Sequence, residues 1–318
     1  MTPVSVAILD DVQDVTRTLA DWGRLPPHVS VASFNDHVEG DALVRRIEPF
    51  DVLVLTRERT KLPRSLVERL PNLKLVVTAG MRNLGIDLAA CREHGVLVCG
   101  TGSGSSPTAD LAWGLILALV RHIPEEDRAL REGRWQTTIG TGLRDKTLGV
   151  LGLGKLGTQV ARVGLAFGMN VIAWSQNLTL ERAAEAGCLR VEKADLFRMA
   201  DVLTIHLLLS ERTRGIVGRD EIALMKPSAF LVNTARAAIV DEQALIAALV
   251  NRKIAGAGLD VFSREPLPAD APILRAPNTV LTPHLGYVTR ETYDVYFPHA
   301  LEDIEAWLAG KPIRIIGD

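Results

Sequence analysis

Short apolar runs alternate along the chain with stretches whose apolar positions recur at three- and four-residue spacing. Val4–Leu9, Val52–Thr56, Leu73–Thr78 and Val96–Val98 read as buried strands, rich in Val and Leu and bounded by polar or turn residues. A second series follows at Thr147–Leu151, Asn170–Trp174, Val202–Leu207, Ala229–Asn233, Ile254–Asp260 and Thr279–Thr282. Amphipathic stretches such as Leu156–Phe167 and Asp241–Asn251 lie between them, the latter opening on an aspartate suited to cap a helix. Strands that alternate with helices in this way predict α/β architecture on parallel sheets. The two series part at Gly100–Pro107, a Gly/Ser cluster closed by proline, after which a long apolar helix begins near Thr108–Asp110. The closing segment Glu291–Leu308 reads as a helix that returns to the first series. A discontinuous first domain around a continuous second one is therefore expected.

Composition narrows the class. With 318 residues, 47% hydrophobic and 23% charged, the chain has room for about two domains of ~150 residues and resembles neither a disordered tail, a collagen repeat nor a disulfide scaffold. Lys plus Arg number 36 against 38 Asp plus Glu, a net charge of -2, so there is no basic field for nucleic acid or an anionic membrane. The apolar stretch Leu111–Val120 is half the ~20 residues a membrane span needs. The first residues show no positive n-region or cleavage site, so a reducing cytoplasm is the expected location. Cys91, Cys99 and Cys188 lack metal or redox spacing and are expected to be small buried hydrophobes.

Gly152-Leu-Gly154-Lys155-Leu156-Gly157 follows the strand Thr147–Leu151 and opens the helix beginning at Leu156. In that context the pattern points to a dinucleotide. Gly152 permits a tight turn, Gly154 lets backbone approach a pyrophosphate, and Gly157 lets helix pack close on strand. The helix N-terminus, with free N–H groups, would hold the pyrophosphate. An acidic residue at the end of the next strand would bind the ribose of NAD and repel the 2′-phosphate of NADP. That position carries Ser175-Gln176-Asn177, and the nearest arginine in sequence, Arg182, stands further off. Either ribose fits hydroxyl and amide donors, and the missing acid tilts the expectation towards NADPH over NADH.

Further motifs fall in a fixed order: Thr78-Ala-Gly-Met-Arg-Asn83 with Ile86-Asp-Leu88, the glycine loop, Asn233-Thr-Ala-Arg236, Gly256–Phe262 with Glu265-Pro266, and Thr282-Pro-His284-Leu-Gly286. Together, over nearly the whole chain, they resemble the D-isomer-specific 2-hydroxyacid dehydrogenases, which include glyoxylate/hydroxypyruvate reductases and D-3-phosphoglycerate dehydrogenase. The resemblance implies a catalytic set of Arg236, Glu265 and His284. Chemistry supports each role: reducing a 2-keto acid needs a proton for the developing alkoxide, which an imidazolium at His284 can give. A carboxylate on the other ring nitrogen, Glu265, fixes the tautomer. A guanidinium, Arg236, grips a carboxylate through two parallel bonds. The resemblance further implies that the backbone N–H groups of Ala79, Gly80 and Met81 bind the substrate carboxylate, with Asn83 shaping that loop. It places Asp260 at the nicotinamide carboxamide, and His206, Thr234 and Ala235 along the cofactor. Arg57 either meets an anionic substrate or lies on the surface.

A Rossmann-type cofactor domain at 103–285, inserted in a flavodoxin-like substrate domain made of 1–102 and 286–318, is the implied α/β fold. The resemblance also implies a homodimer with helix Asp110–Val120 near the contact. Closure about Gly100–Gly104 and Leu285–Tyr287, excluding water during hydride transfer, is expected as well. Some positions depart from the common pattern: Ser175 replaces an Asp, Leu208 a proline, and Ala237 a glycine. These bear on the cofactor and on pocket shape. A phosphoglycerate dehydrogenase without its regulatory domain and a nicotinamide-sensing corepressor-like binding protein remain alternatives. A formate-type dehydrogenase is disfavoured by the Glu265–His284 pair.

Overall fold

A computed structural model of the chain describes residues 2–102 and 107–317; the expected joint at Ser103 and Gly104 lies outside them. The chain divides into two compact units, Met1–Ser105 with Thr289–Asp318, and Ser106–Val288.

In the first unit five strands, β1 (Val4–Ile8), β2 (Val29–Ser33), β3 (Val52–Leu55), β4 (Leu75–Thr78) and β5 (Leu97–Gly100), form one parallel sheet in the order β2-β1-β3-β4-β5. This is the flavodoxin-like order. Every position of β3 and β4 is buried, which is why both read as unbroken apolar runs. The strand β2, absent from the expected series, sits at the edge with only Val29, Val31 and Ala32 as apolar members, so it carries no such run. Helix Arg290–Leu308 returns to this unit, capped by the Thr289 hydroxyl.

Seven parallel strands build the second unit: β6 (Thr147–Leu151), β7 (Asn170–Trp174), β8 (Leu189–Arg190), β9 (Val202–Ile205), β10 (Phe230–Asn233), β11 (Gly256–Leu259) and β12 (Thr279–Leu281). Their order, β12-β11-β10-β9-β6-β7-β8, is the doubly wound dinucleotide-binding order with one strand added at an edge. The sheet reverses direction of growth between β6 and β9, where such folds hold their ligands. Helix Thr108–Val120 spends its apolar side chains, including Trp113, Leu115, Ile116 and Leu119, on this unit's own core. Exposed apolar side chains lie further along the chain, at Trp135 (75%) and Ile139 (94%). Among the described residues no helix is long and apolar enough to cross a membrane, and no cluster could hold a metal. Cys91, Cys99 and Cys188 are all buried.

Candidate active site

The glycine loop occupies the switch point of the second sheet. Gly152 has φ +103, and a Cβ there would meet the backbone of His206 and Leu207 at 2.8 Å, so only glycine lets β6 end this close to β9. A Cβ on Gly157 would lie 2.0 Å from the Gly152 carbonyl oxygen, which locks the helix Lys155–Ala166 against the turn. At Gly154 a Cβ would meet nothing within 4 Å. The open space above Gly154 faces the N-terminus of a twelve-residue helix that starts with Lys155 and Leu156, the arrangement a pyrophosphate needs. Thr234, just past β10, keeps a buried hydroxyl with no hydrogen-bond partner among the described residues, a second feature that fits a bound group. His206 joins its Nε2 to Thr204 Oγ1 at 2.9 Å, and burial pushes its pKa down to about 4, so it is neutral at physiological pH.

Ser175, Gln176 and Asn177 follow β7, half-exposed to exposed. Arg182, the nearest arginine in sequence, is 70% exposed and reaches Glu185 at 3.9 Å. Pairing of β7 with β8 brings another arginine to the loop, since Arg190 lies opposite Ala173. Its Nε donates to the Leu178 carbonyl at 3.0 Å and its Nη1 to Glu192 at 3.0 Å. Fifteen residues of sequence separate Arg190 from Ser175, so only the strand pairing reveals it.

At the same edge of the sheet Glu265 and His284 meet. His284 Nδ1 lies 2.6 Å from Glu265 Oε2, while Glu265 Oε1 accepts the Phe262 N–H at 2.8 Å. Burial works to raise the Glu265 pKa, but the His284 hydrogen bond and charge outweigh it, and the carboxyl stays below its ordinary range. With Nδ1 committed to Glu265, Nε2 is the imidazole nitrogen left for chemistry. The charge of Arg236 also acts on Glu265. Its turn is built by Asn233, which is 1% exposed. Asn233 Nδ2 donates to the Arg236 carbonyl at 3.0 Å, and its Oδ1 accepts the Ala235 N–H at 3.0 Å.

Asp260 holds the loop that carries His284. Fully buried, it accepts from Thr282 Oγ1 (2.6 Å), the Leu285 N–H (2.7 Å) and the Gly286 N–H (2.9 Å). Burial raises its pKa against these bonds. These bonds fix the 282–286 loop.

In the first unit the turn after β4 carries the N–H groups of Ala79, Gly80 and Met81. The Ala79 N–H donates to the Leu55 carbonyl at 3.0 Å and the Gly80 N–H to Thr101 Oγ1 at 2.8 Å. Two of the three N–H groups expected to bind a carboxylate are therefore already bonded, Ala79 because it continues the ladder to β3. Met81 is half-exposed beside them. Asn83 has the shaping role, donating to the Arg57 carbonyl (2.7 Å) and Thr78 Oγ1 (2.8 Å) while accepting the Gly85 N–H (2.8 Å).

A doubly wound parallel sheet, a glycine turn at its switch point and a carboxylate-braced imidazole at the same edge define an α/β protein of the dinucleotide-binding class. The sequence profile of the D-isomer specific 2-hydroxyacid dehydrogenase NAD binding domain matches residues 113–286, and the chain belongs to that family. A hydroxypyruvate reductase of Thermotoga maritima is 40% identical over 266 residues, 81% of this chain and 84% of that protein. A D-3-phosphoglycerate dehydrogenase of Methanocaldococcus jannaschii is 40% identical over 85% of this chain and 52% of its own length. The chain spans about half the length of the first curated relatives it matches. Among solved structures, a phosphoglycerate oxidoreductase of Vibrio cholerae superposes with TM-score 0.91 at 38% identity, over 96% of this chain and 99% of that one.

Proposed function

We propose that the protein reduces small 2-keto acids such as glyoxylate or hydroxypyruvate to D-2-hydroxy acids with NAD(P)H, using His284 as the proton donor. The 2.6 Å His284–Glu265 pair is the observation that carries this reading. The bound cofactor supplies the hydride. Arg236 grips the substrate carboxylate with its planar fork and polarises the adjoining carbonyl. His284 Nε2 gives its proton to the carbonyl oxygen as negative charge develops there, and Glu265 stabilises the imidazolium beforehand. In the oxidative direction the neutral ring takes the hydroxyl proton back. Arg57 and the Met81 N–H are the substrate contacts proposed for the first unit.

NADPH is the proposed preference over NADH. Ser175 puts no negative charge at the end of β7, and Arg190 puts a positive one against the following loop. A homodimer is also proposed, and the exposed Trp135 and Ile139 give it an apolar surface to bury. Sedimentation at about twice the 34.6 kDa chain mass is the expected result. The names of the relatives also favour a second reading, oxidation of a phosphorylated 2-hydroxy acid, which the same residues would perform in reverse.

The test of the mechanism is His284→Gln. It should lower kcat by about 10²–10⁴-fold, the usual worth of general acid catalysis, while cofactor affinity measured by fluorescence is retained. Full turnover in the variant would remove His284 from the mechanism.

A further inference from the structure

We infer that Tyr296 is a positioning residue that aims the Arg57 guanidinium over the Gly80 turn, making Arg57 the group that attracts the substrate's anion there. This rests on the function proposed above and assigns part of its substrate recognition to the helix Arg290–Leu308.

The backbone prepares the placement. Arg57 has φ +56, a conformation that side-chain-bearing residues rarely adopt. The Asn83 amide holds it there through the Arg57 carbonyl at 2.7 Å. A strained backbone fixed by a buried side chain marks a side chain whose direction matters. From this position Arg57 Nη1 donates to the Tyr296 hydroxyl at 3.3 Å. A Cβ on Gly80 would lie 3.0 Å from the same Nη1, so the guanidinium lies directly on the turn and glycine makes room for it.

Two features make the tyrosine more than a neighbour. It is 4% exposed and packed beside Tyr293 with ring centroids 6.5 Å apart, so its hydroxyl is a fixed point for a long, otherwise rotatable side chain. Glu58, 3.8 Å from Arg57 Nε, is the competing carboxylate that would draw the guanidinium aside if that fixed point were lost.

The test is Tyr296→Phe, alone and in an Arg57→Met background, with reduction of glyoxylate and hydroxypyruvate and thermal melting as readouts. Losing one hydrogen bond of ordinary net worth should raise KM for the keto acid about fivefold. The kcat, the cofactor KM and the melting temperature should hold, and the added change in the Arg57→Met background should vanish. An equal KM change in both backgrounds, a fall in kcat and melting temperature together, or no change at all would overturn the inference. Oxalate binding by calorimetry with NADPH present separates the two levels. If the unaltered protein neither turns over a keto acid nor binds oxalate, the proposed function itself fails and this inference with it. If it does either and Tyr296→Phe behaves like the native chain, only the inference fails.

Discussion

Replacing Glu265 by Gln removes a charge while keeping the size of the side chain, and its effect can be worked from the geometry. The pair is 2.6 Å long, with the His284 and Glu265 side chains 19% and 29% exposed, so solvent screens it only in part. A hydrogen bond to a charged partner of this kind is worth ~1.5–3 kcal/mol. At 1.36 kcal/mol per tenfold in rate, that corresponds to a roughly 10- to 150-fold lower kcat/KM for keto-acid reduction, because the Glu265 anion stabilises the positive charge of the proton-donating ring. Gln also offers one acceptor where the carboxylate serves both Phe262 N–H and His284 Nδ1. The assay is kcat/KM for a keto acid in the variant and in the native protein. A kcat/KM lowered less than about threefold would refute the charge argument and leave Glu265 a packing role.

Three further expectations come from other parts of the second unit and from the returning helix. Gly154→Ala should fold with an unchanged melting temperature but lose dinucleotide binding, since its Cβ meets no protein atom. Gly157→Ala, driven within 2.0 Å of the Gly152 carbonyl, should lose ~1–3 kcal/mol of stability as well; equal melting of the two variants would count against this division. Ser175→Asp should shift the NADPH-to-NADH ratio of kcat/KM about tenfold towards NADH, the effect of ~1.4 kcal/mol of repulsion; an unmoved ratio would remove Ser175 from cofactor choice. Burial raises the Asp303 pKa from 3.8 to about 7 against the pull of Arg314. A group with a raised folded-state pKa stabilises the fold below its unfolded value and loses that contribution as pH rises to about 7, so Asp303→Asn should flatten the fall in melting temperature across that range. A slope equal to the native one would refute it.

Elements buried on both faces were the most legible. Thr147–Leu151 and Asn170–Trp174 read to the residue because an apolar run flanked by turn residues has few other fates. Edge strands were not: Val29–Ser33 is half-exposed along its length and Leu189–Arg190 has two residues, so neither leaves a periodic trace. The glycine turn was readable because sterics fix its residue types locally. The bracing around it depends on contacts between distant segments. Asn83 reaches back to Arg57, Arg190 meets the Leu178 loop through a strand pairing, and Tyr296 lies 239 residues from the arginine it touches. The Ala79 and Gly80 N–H groups show the converse limit, since a motif identifies a turn without saying which of its donors the sheet and Thr101 have already taken.

Reduction of a 2-keto acid by the residues around His284 is tested most directly by the loss of reduced-nicotinamide absorbance with purified protein, with NADPH and NADH in parallel, against glyoxylate, hydroxypyruvate, pyruvate and a phosphorylated keto acid. Turnover of at least one acid, faster with NADPH, is the predicted result. Cofactor binding without turnover of any acid would contradict it and favour a nicotinamide-sensing protein built on the same fold.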